Sequence, residues 1–264
     1  MSTNFEFSPA DFEWVQAEAR RRIGIHLSSE KKDLVINRLA PLMRKKGLSD
    51  FSQFRARLQG GSIADDEAFV SALTTNVTSL YREPQHFEFM EDRMLREPHR
   101  SSPVRVWSAA CSSGEEPASI LSVAHAVRAP VELWATDIDS EILAKARRLV
   151  FRTQERWPRA AWKAAFQKGT GPNEGWMRVR PDVAKAARFQ RLNLSESWPD
   201  ADPYDAIFCR NVLIYFDPAS QARLVDRLVE RLRVGGCLFL GHSESRLGNH
   251  PRLRSEGGTI FRRI

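Results

Sequence analysis

Residues 104–120 read "VRVWSAACSSGEEPASI" and decide the class of fold. An apolar run leads into small residues, then Gly114 and the start of a helix, which is the order of a strand, a tight turn and a helix. The dinucleotide-binding pattern G-x-G-x-x-G is absent, because Gly114 is the one glycine of this stretch. Glu115 and Glu116 follow it, where their carboxylates would repel a phosphate. The turn therefore predicts a nucleoside ligand that has no phosphate and carries positive charge.

Strands and helices alternate from residue 104 onward. The predicted strands are "VRVWSA", "VELWATDI", "YDAIFCR" and "GCLFLG", and the predicted helices are "EEPASILSVAHAVR", "SEILAKARRLV" and "PASQARLVDRLVERLR". Such alternation predicts an α/β fold with a doubly wound, mainly parallel sheet. Ligands of these folds bind beyond the carboxyl ends of the strands.

Polar residues at two further strand ends suit an adenosyl group. Asp137 in "WATDID" follows the second predicted strand, where an acid accepts hydrogen bonds from ribose hydroxyls. Asn193 and Leu194 in "FQRLNL" lie at the next candidate strand end and suit the edge and face of an adenine. S-adenosylmethionine combines an amino acid, a sulfonium and an adenosine, so the order of these residues predicts a Rossmann-like, class I S-adenosylmethionine-dependent methyltransferase fold.

The first eighty residues read as an all-helical domain. Ser8 and Pro9 are placed to begin a helix and Gly24 to end it, and a second helix ends at Gly47 with Pro41 inside. We therefore predict a helical domain over 1–80 and a catalytic domain over 81–264. A small antiparallel β insertion is expected at about 160–192, because Gly-Thr-Gly-Pro and Asn-Glu-Gly turns precede an alternating stretch there.

Bulk properties limit the class of protein. The net charge is +7, which favours an acidic partner. No apolar run approaches the roughly 18 residues of a membrane span, and the N-terminus does not resemble a secretory signal. The widely spaced Cys111, Cys209 and Cys237 argue against disulfides and a zinc site, so we expect no metal and a cytoplasmic location.

Six motifs in order resemble one family. They are "TTNVTSLYREPQHF", "VWSAACSSGEEPASI", "ATDIDSEIL", "GTGPNEGWMRVR", "DAIFCRNVLIYFD" and "GHSES". Together they closely resemble the CheR-type chemotaxis receptor methyltransferases over nearly the whole chain. The resemblance implies a protein-glutamate O-methyltransferase that transfers a methyl group from S-adenosylmethionine to glutamates on receptor signalling helices. The products would be glutamyl methyl esters and S-adenosylhomocysteine, in the adaptation of chemotaxis.

The resemblance also implies roles for individual residues. Arg82 and Tyr215 match the residues that line the reaction centre. The positions that match cofactor contacts are Asn76, Thr78, Arg82, Glu116, Asp137, Asn193, Leu194, Arg210 and Asn211. Leu80 and Tyr81 stand where phenylalanines are expected, and Cys111 where alanine is common. All keep similar bulk.

Two partner surfaces follow from the same resemblance. Receptor methylation sites lie on acidic helices, so Lys31, Lys32, Arg38 and the run Arg44–Lys46 are expected to guide docking. Some family members grip a C-terminal receptor peptide with the insertion by adding it as a strand, and the segment Gly169–Arg180 carries the candidates for this. These candidates are Gly169, Gly171, Gly175 and Arg178 or Arg180. We expect a monomer, with no nucleic acid bound and no insertion into a membrane.

Three other functions fit parts of this sequence less well. A nucleic-acid methyltransferase fits the positive charge, but "RNVLIY" stands where an amino-methylating enzyme would carry Asn-Pro-Pro-Tyr. A receptor-binding module without catalysis is disfavoured by the presence of both Arg82 and Tyr215. A hydrolase is rejected because "GHSES" lacks the last glycine of G-x-S-x-G, so His242 and Glu244 are expected to brace the strand end instead. Without the family motif, Arg82 would be read as pairing with Glu83 or capping a helix, and Tyr215 as a core residue.

Overall fold

The computed structural model describes residues 5–96 and 102–264, and their contacts divide the chain into two units. The first unit holds the residues up to Thr75 together with Tyr215–Asp217. The second unit holds Asn76–Ile214 and Pro218–Ile264. The division after Thr75 lies a few residues before the predicted boundary at residue 80.

The first unit is helical, as predicted. Its α-helices are α1 (Pro9–Ile23), α2 (Lys32–Lys45), α3 (Phe51–Gln59) and α4 (Ile63–Leu73). Helix α1 begins with a reciprocal cap, because Ser8 Oγ accepts a hydrogen bond from the Asp11 N–H while the Asp11 carboxylate accepts one from the Ser8 N–H. It ends at Gly24, whose φ of 71° is left-handed.

Helix α2 buries apolar side chains at every fourth position. Val35, Leu39 and Met43 are buried, whereas Leu34 is 44% exposed. The Arg38 guanidinium donates hydrogen bonds to the carbonyls of Leu73 (2.6 Å) and Thr74 (2.9 Å) at the end of α4. Arg38 therefore satisfies carbonyls that the end of a helix leaves without an intrahelical partner.

The second unit contains the predicted doubly wound, mainly parallel sheet. Its strands follow the order β6-β2-β1-β7-β8-β10-β9. Their bounds are β1 (Val104–Ala109), β2 (Val131–Asp137), β6 (Ala187–Arg191), β7 (Tyr204–Cys209), β8 (Leu232–Leu240), β9 (Leu253–Gly257) and β10 (Ile260–Arg263). The pairs among β6, β2, β1, β7 and β8 are parallel, and β10 pairs antiparallel with both β8 and β9. The final hairpin is an element that the sequence pattern did not predict.

Helices pack around this sheet. They are α5 (Gln85–Met90), α6 (Glu115–Ala126), α7 (Ser140–Ala146), α8 (Pro181–Ala184) and α9 (Pro218–Arg231). In the core, Phe208 of β7 and Phe239 of β8 stack with ring centroids 4.1 Å apart. Strand β1 lies between β2 and β7. The chain therefore adds β2 on one side of β1 and later adds β7 on the opposite side. Such a switch in strand order opens a crevice at the carboxyl ends of the strands.

A small antiparallel sheet is present, with bounds that differ from the predicted 160–192. Its order is β3-β5-β4, with β3 at Val150–Arg152, β4 at Phe166–Lys168 and β5 at Trp176–Val179. The small sheet begins earlier than predicted, because Val150 of β3 pairs with Arg178 of β5. It also ends earlier, because β6, which lies within the predicted range, pairs with β2 of the large sheet. A strand of three residues is too short to show a clear alternation in sequence.

The described residues hold neither a membrane-spanning helix nor a candidate metal site. No helix within 5–96 and 102–264 combines the length and apolar composition needed to cross a membrane. In the same ranges, no group of three or more His, Cys, Asp and Glu side chains is placed to hold a metal ion. Cys111, Cys209 and Cys237 are buried free thiols, and burial raises the pKa of each, which makes them poor nucleophiles.

Candidate functional site

The turn between β1 and α6 is tight because three of its residues are left-handed. Ala110, Ser112 and Gly114 have φ values of 66°, 50° and 97°. A Cβ on Gly114 would lie 2.9 Å from the Ala146 Cα atom, so this position requires glycine for space as well as for conformation. The start of α6 is thereby held against the end of α7.

Asp137 ends β2 beside this turn. Its Oδ2 atom accepts a hydrogen bond from the Ser112 N–H (2.8 Å), and Oδ1 accepts one from the Asp139 N–H (3.0 Å). The residue is 6% exposed, and burial raises the pKa of Asp137 to about 6. The carboxylate is thus fixed in orientation, and an ionised carboxylate has further lone pairs to accept bonds from a ribose diol.

The segment that starts at Asn76 reaches the same strand ends. Asn76 Nδ2 donates to Asp139 Oδ2 (2.9 Å), and the Asn76 carbonyl accepts a bond from Ser112 Oγ (3.2 Å). Thr78 is half-buried within this segment. Asp139 also caps α7, since its carboxylate accepts hydrogen bonds from the N–H groups of Glu141 and Ile142. This role was not predicted from the sequence. The signal for it is an aspartate directly before a predicted helix, in "DIDSE".

A buried ion pair joins three loops at the switch in strand order. Arg210, whose side chain is 3% exposed, donates to Glu116 Oε2 (3.0 Å) and also to the Arg82 carbonyl. The other Glu116 oxygen accepts a bond from Ser108 Oγ (2.7 Å). Burial raises the pKa of Glu116, and the Arg210 guanidinium opposes this shift. Arg210 therefore ties the ends of β1 and β7 to the backbone of Arg82.

Arg82 is held between two left-handed residues. Tyr81 and Glu83 have φ values of 55° and 58°. Such backbone costs about 1–3 kcal/mol per residue and persists only where neighbouring contacts offset that cost. The Tyr81 N–H donates to Ser119 Oγ (2.9 Å), and its hydroxyl lies 2.8 Å from Ser122 Oγ. The hydroxyl that distinguishes Tyr81 from the expected phenylalanine thus has a buried partner. The half-exposed Arg82 guanidinium donates to the Val77 carbonyl (3.0 Å).

Two predicted adenine contacts follow β6. The Leu192 N–H donates to the Asp137 carbonyl (2.9 Å), which brings this segment to the end of β2. Asn193 closes its own turn, because its Oδ1 atom accepts from the Ser195 N–H (3.0 Å) and its amide donates to Glu196 (2.9 Å). The Leu194 side chain is 7% exposed.

Asn211 and Tyr215 follow β7. Asn211 is left-handed, with a φ of 57°, and its N–H donates to Glu244 Oε2 (2.8 Å). Tyr215 is grouped with the helical unit, where its carbonyl accepts a bond from the His26 N–H (2.7 Å) and Lys31 Nζ lies 6.0 Å from its ring centroid. The hydrogen bonds therefore gather Arg82, Glu116 and Arg210 at one place, and they connect Asn76 with Asp137 through Ser112 and Asp139. Tyr215 belongs to the first unit.

The charges at these strand ends suit the predicted ligand. Glu115, Glu116, Asp137 and Asp139 are acidic, and Arg210 is already paired with Glu116. An excess of carboxylates attracts an ammonium or sulfonium and rejects phosphate. Asp137 would hold the ribose, and Glu116 and Asn76 would bound the rest of the site. The residues present therefore fit S-adenosylmethionine.

Two family models match this chain. Residues 10–78 match the CheR methyltransferase all-alpha domain, and residues 76–261 match the CheR methyltransferase SAM binding domain. The chemotaxis protein methyltransferase 2 of Pseudomonas aeruginosa is 39% identical over an alignment of 264 positions, which covers 97% of this chain and 94% of that protein. The chemotaxis protein methyltransferase of Escherichia coli is 38% identical, covering 99% and 93%, and that of Salmonella typhimurium is 40% identical, covering 99% and 92%.

Proposed function

Because the chain belongs to the CheR methyltransferase family, we propose that it methylates glutamate side chains on the cytoplasmic helices of chemoreceptors. The chain is an S-adenosylmethionine-dependent methyltransferase, and its relatives are named for chemotaxis. The proposed products are glutamyl methyl esters, formed in the cytoplasm during adaptation. When bound, S-adenosylmethionine supplies a methyl group on a sulfonium and leaves as S-adenosylhomocysteine.

A glutamate acceptor makes few demands on the protein. Its reference pKa is about 4.3, so it is ionised at neutral pH and needs no general base. A carboxylate oxygen forms a bond to the methyl carbon while the carbon–sulfur bond breaks, and a positive and a negative charge both disappear. The task of the protein is therefore to align the reactants and to exclude water.

The observation that carries this proposal is the setting of Arg82. Its backbone is held by Arg210, which also pairs with Glu116, while its own guanidinium is half-exposed. A guanidinium is well shaped to orient a carboxylate. We assign Arg82 and Tyr215 to orienting the acceptor, and the other residues matched to cofactor contacts to holding the donor.

The test uses labelled donor and a receptor cytoplasmic fragment. We expect Arg82→Ala to lower kcat by about 100-fold, as the loss of one orienting group commonly does, with little change in donor affinity. Methyl transfer is followed by release of label in base, which separates esters from methylated amines. Donor affinity is measured by calorimetry without receptor.

Arg93→Ala is the matched control, because Arg93 is an exposed arginine on the turn that follows α5. It should retain full activity. Base-stable label, label on nucleic acid that nuclease removes, or an unchanged kcat in Arg82→Ala would contradict the proposal. A receptor-binding module without catalysis would transfer no label at all.

The small sheet supports a second contact with the receptor. Its face lines a cavity of about 1150 Å³ that also includes the start of α6 and the end of α7. The cations that line this cavity are Lys145, Arg148, Lys168 and Arg178, against one acid, Glu115. We propose that an acidic C-terminal receptor peptide pairs with the edge of this sheet near Gly169.

The helical unit supplies the proposed docking surface for the acidic receptor helices. Residues 1–60 carry 11 Lys and Arg against 7 Asp and Glu, whereas residues 61–75 add three acids and no cation, so the position of the cations matters more than their number. Arg44 and Lys45 at the end of α2 are exposed, whereas Lys46 pairs with the buried Asp65. The docking surface is therefore assigned to Lys31, Lys32, Arg44 and Lys45, and the enzyme is proposed to act as a monomer.

A further inference from the structure

The motif "GHSES" lies directly after β8, and neither the donor contacts nor the acceptor contacts explain it. Its glutamate, Glu244, is 1% exposed. Glu244 Oε2 accepts hydrogen bonds from the N–H groups of Gly241 (2.7 Å) and Asn211 (2.8 Å). Oε1 accepts bonds from the N–H groups of Leu213 (2.8 Å) and Ile214 (3.4 Å). Burial raises the pKa of Glu244, and the four N–H donors oppose this shift because they stabilise the ionised carboxylate.

The segment that Glu244 binds is Asn211–Ile214, which follows Arg210 at the end of β7. Asn211 is left-handed, so its backbone must be held in place by neighbours. Gly241 packs directly against Asn211 and leaves no space for a side chain. A Cβ at this position would lie 2.4 Å from Asn211 Nδ2 and 2.8 Å from the backbone nitrogen of Asn211. The segment is thus fixed by a carboxylate from one residue and by the bare backbone of another, both in the turn Gly241–Glu244.

The same turn also reaches the segment that carries Arg82. The His242 N–H donates to Glu83 Oε1 (3.2 Å), and Glu83 is the left-handed residue next to Arg82. Glu83 Oε2 lies 3.4 Å from Arg210 Nη2. One turn of four residues therefore contacts both loops that flank the predicted donor site.

We propose that Glu244 is a positioning residue of the donor site. Its carboxylate fixes the backbone of Asn211–Ile214, and its turn fixes Glu83, so that Arg210 and Asn211 are presented to the donor in one geometry. Glu244 acts through these backbone groups and is not placed against the reacting atoms. The inference depends on donor binding alone and not on the identity of the acceptor.

The first test is Glu244→Gln, which preserves the shape of the side chain. Whichever way the amide is oriented, its NH₂ group replaces an oxygen that accepts two N–H bonds. The N–H groups at that oxygen lose their acceptor, so the backbone of Asn211–Ile214 is no longer fixed in the geometry that binds the donor. We therefore expect the Kd for S-adenosylmethionine and for S-adenosylhomocysteine to rise at least about tenfold. Calorimetry measures both without a receptor.

Glu91→Gln is the matched control. Glu91 is 3% exposed and accepts a bond from Trp162 Nε1 (2.7 Å), so it is also a buried, hydrogen-bonded carboxylate, but the turn after α5 that carries it contributes no predicted donor contact. We expect Glu91→Gln to lower the Tm and to leave the Kd unchanged. If Glu244→Gln lowers the Tm and binds the donor as tightly as the unaltered chain, Glu244 is structural and the proposal is wrong.

Hydrogen exchange supplies a second readout. In Glu244→Gln the amides of Asn211, Leu213 and Ile214 should exchange at least about tenfold faster, while the β7 amides keep their protection. Should the Gln variant not fold, Glu244→Asp retains the charge but is one methylene too short to reach both N–H pairs, and the same exchange and affinity changes are expected. Unchanged exchange at these three amides in a folded variant would overturn the proposal. Because no acceptor is present, a wrong acceptor assignment would leave all these results as they are.

Discussion

Among single residues, Asp137, a predicted ribose ligand, combines burial with rigid hydrogen bonding. Burial raises the pKa of Asp137 to about 6, although two backbone N–H groups stabilise its charge. Only the ionised carboxylate is a pure acceptor for a ribose diol. Donor affinity should therefore be constant above this pKa and fall as the pH drops below it.

The pH dependence can be measured by calorimetry between about pH 8 and about pH 5. We expect the Kd for S-adenosylhomocysteine to rise up to about tenfold per pH unit below 6, because binding then requires loss of a proton. Asp137→Asn should bind more weakly at neutral pH, by about 10- to 100-fold, and its remaining pH dependence should be smaller. The raised pKa of Glu116 leaves a residual slope. An Asn variant with the original pH profile would exclude Asp137 as the titrating group.

Arg210 illustrates what single positions in the sequence do not reveal. Its place after β7 and the family resemblance predict a donor contact, and this role remains a prediction. In the structure the guanidinium is buried against Glu116, the Arg82 carbonyl and Glu83. These partners are 94, 128 and 127 residues away in sequence, so no local pattern could indicate them.

At the scale of elements, the proposed peptide contact of the small sheet depends on which of its arginines line the cavity. Arg178 of β5 lines the cationic cavity, whereas Arg180 lies after the strand and pairs with Asp182 (3.3 Å). The two arginines are close in sequence but differ in setting. The turn at Gly169 is tight, because a Cβ there would lie 2.1 Å from the Asn173 carbonyl oxygen.

Receptor tail peptides should therefore distinguish these two positions. Arg178→Glu is expected to weaken binding of an acidic tail peptide by about tenfold or more, because it places a like charge in the cavity. Arg180→Glu is the matched control and should have a smaller effect. Fluorescence titration with labelled peptides measures both. If no receptor peptide binds the unaltered chain, the insertion does not serve as this tether.

For the whole molecule, the net charge of +7 does not by itself locate a docking surface. The location depends on which cations are exposed and which are engaged in structural contacts. In the helical unit Arg38 caps α4 and Lys46 pairs with Asp65, so these two members of the predicted basic surface are occupied in structural contacts. Arg44 and Lys45 are exposed. Exposed charges steer an acidic partner and are screened by salt.

Charge reversal tests this division. Arg44→Glu combined with Lys45→Glu should raise the KM for receptor about tenfold at low ionic strength, with kcat unchanged and with a smaller effect at high salt. Arg93→Glu combined with Lys163→Glu, two exposed cations of the other unit, alters the net charge equally and should leave the KM close to its original value. Arg38→Ala should instead lower the free energy of unfolding by about 1–3 kcal/mol. Equal KM values for both double variants would show that only total charge matters.

The sequence by itself determined the α/β class, the helical first domain and the ligand class. These conclusions rest on local features, which are the periodicity of strands and helices, the cap at Ser8 and the acidic turn after Gly114. Local features depend only on residues that are close together in the sequence. Six ordered motifs then identified the family, and with it the donor.

Only the tertiary structure decided which polar groups are free and which are already engaged. It paired Arg210 with Glu116, assigned Arg38 to the end of α4 and revealed that Glu244 binds the backbone of Asn211–Ile214. It also added the β9–β10 hairpin and the short strand β3. The physical reason is that hydrogen bonds and ion pairs between distant segments depend on which strand ends meet in space, and the order of strands in the sheet sets this.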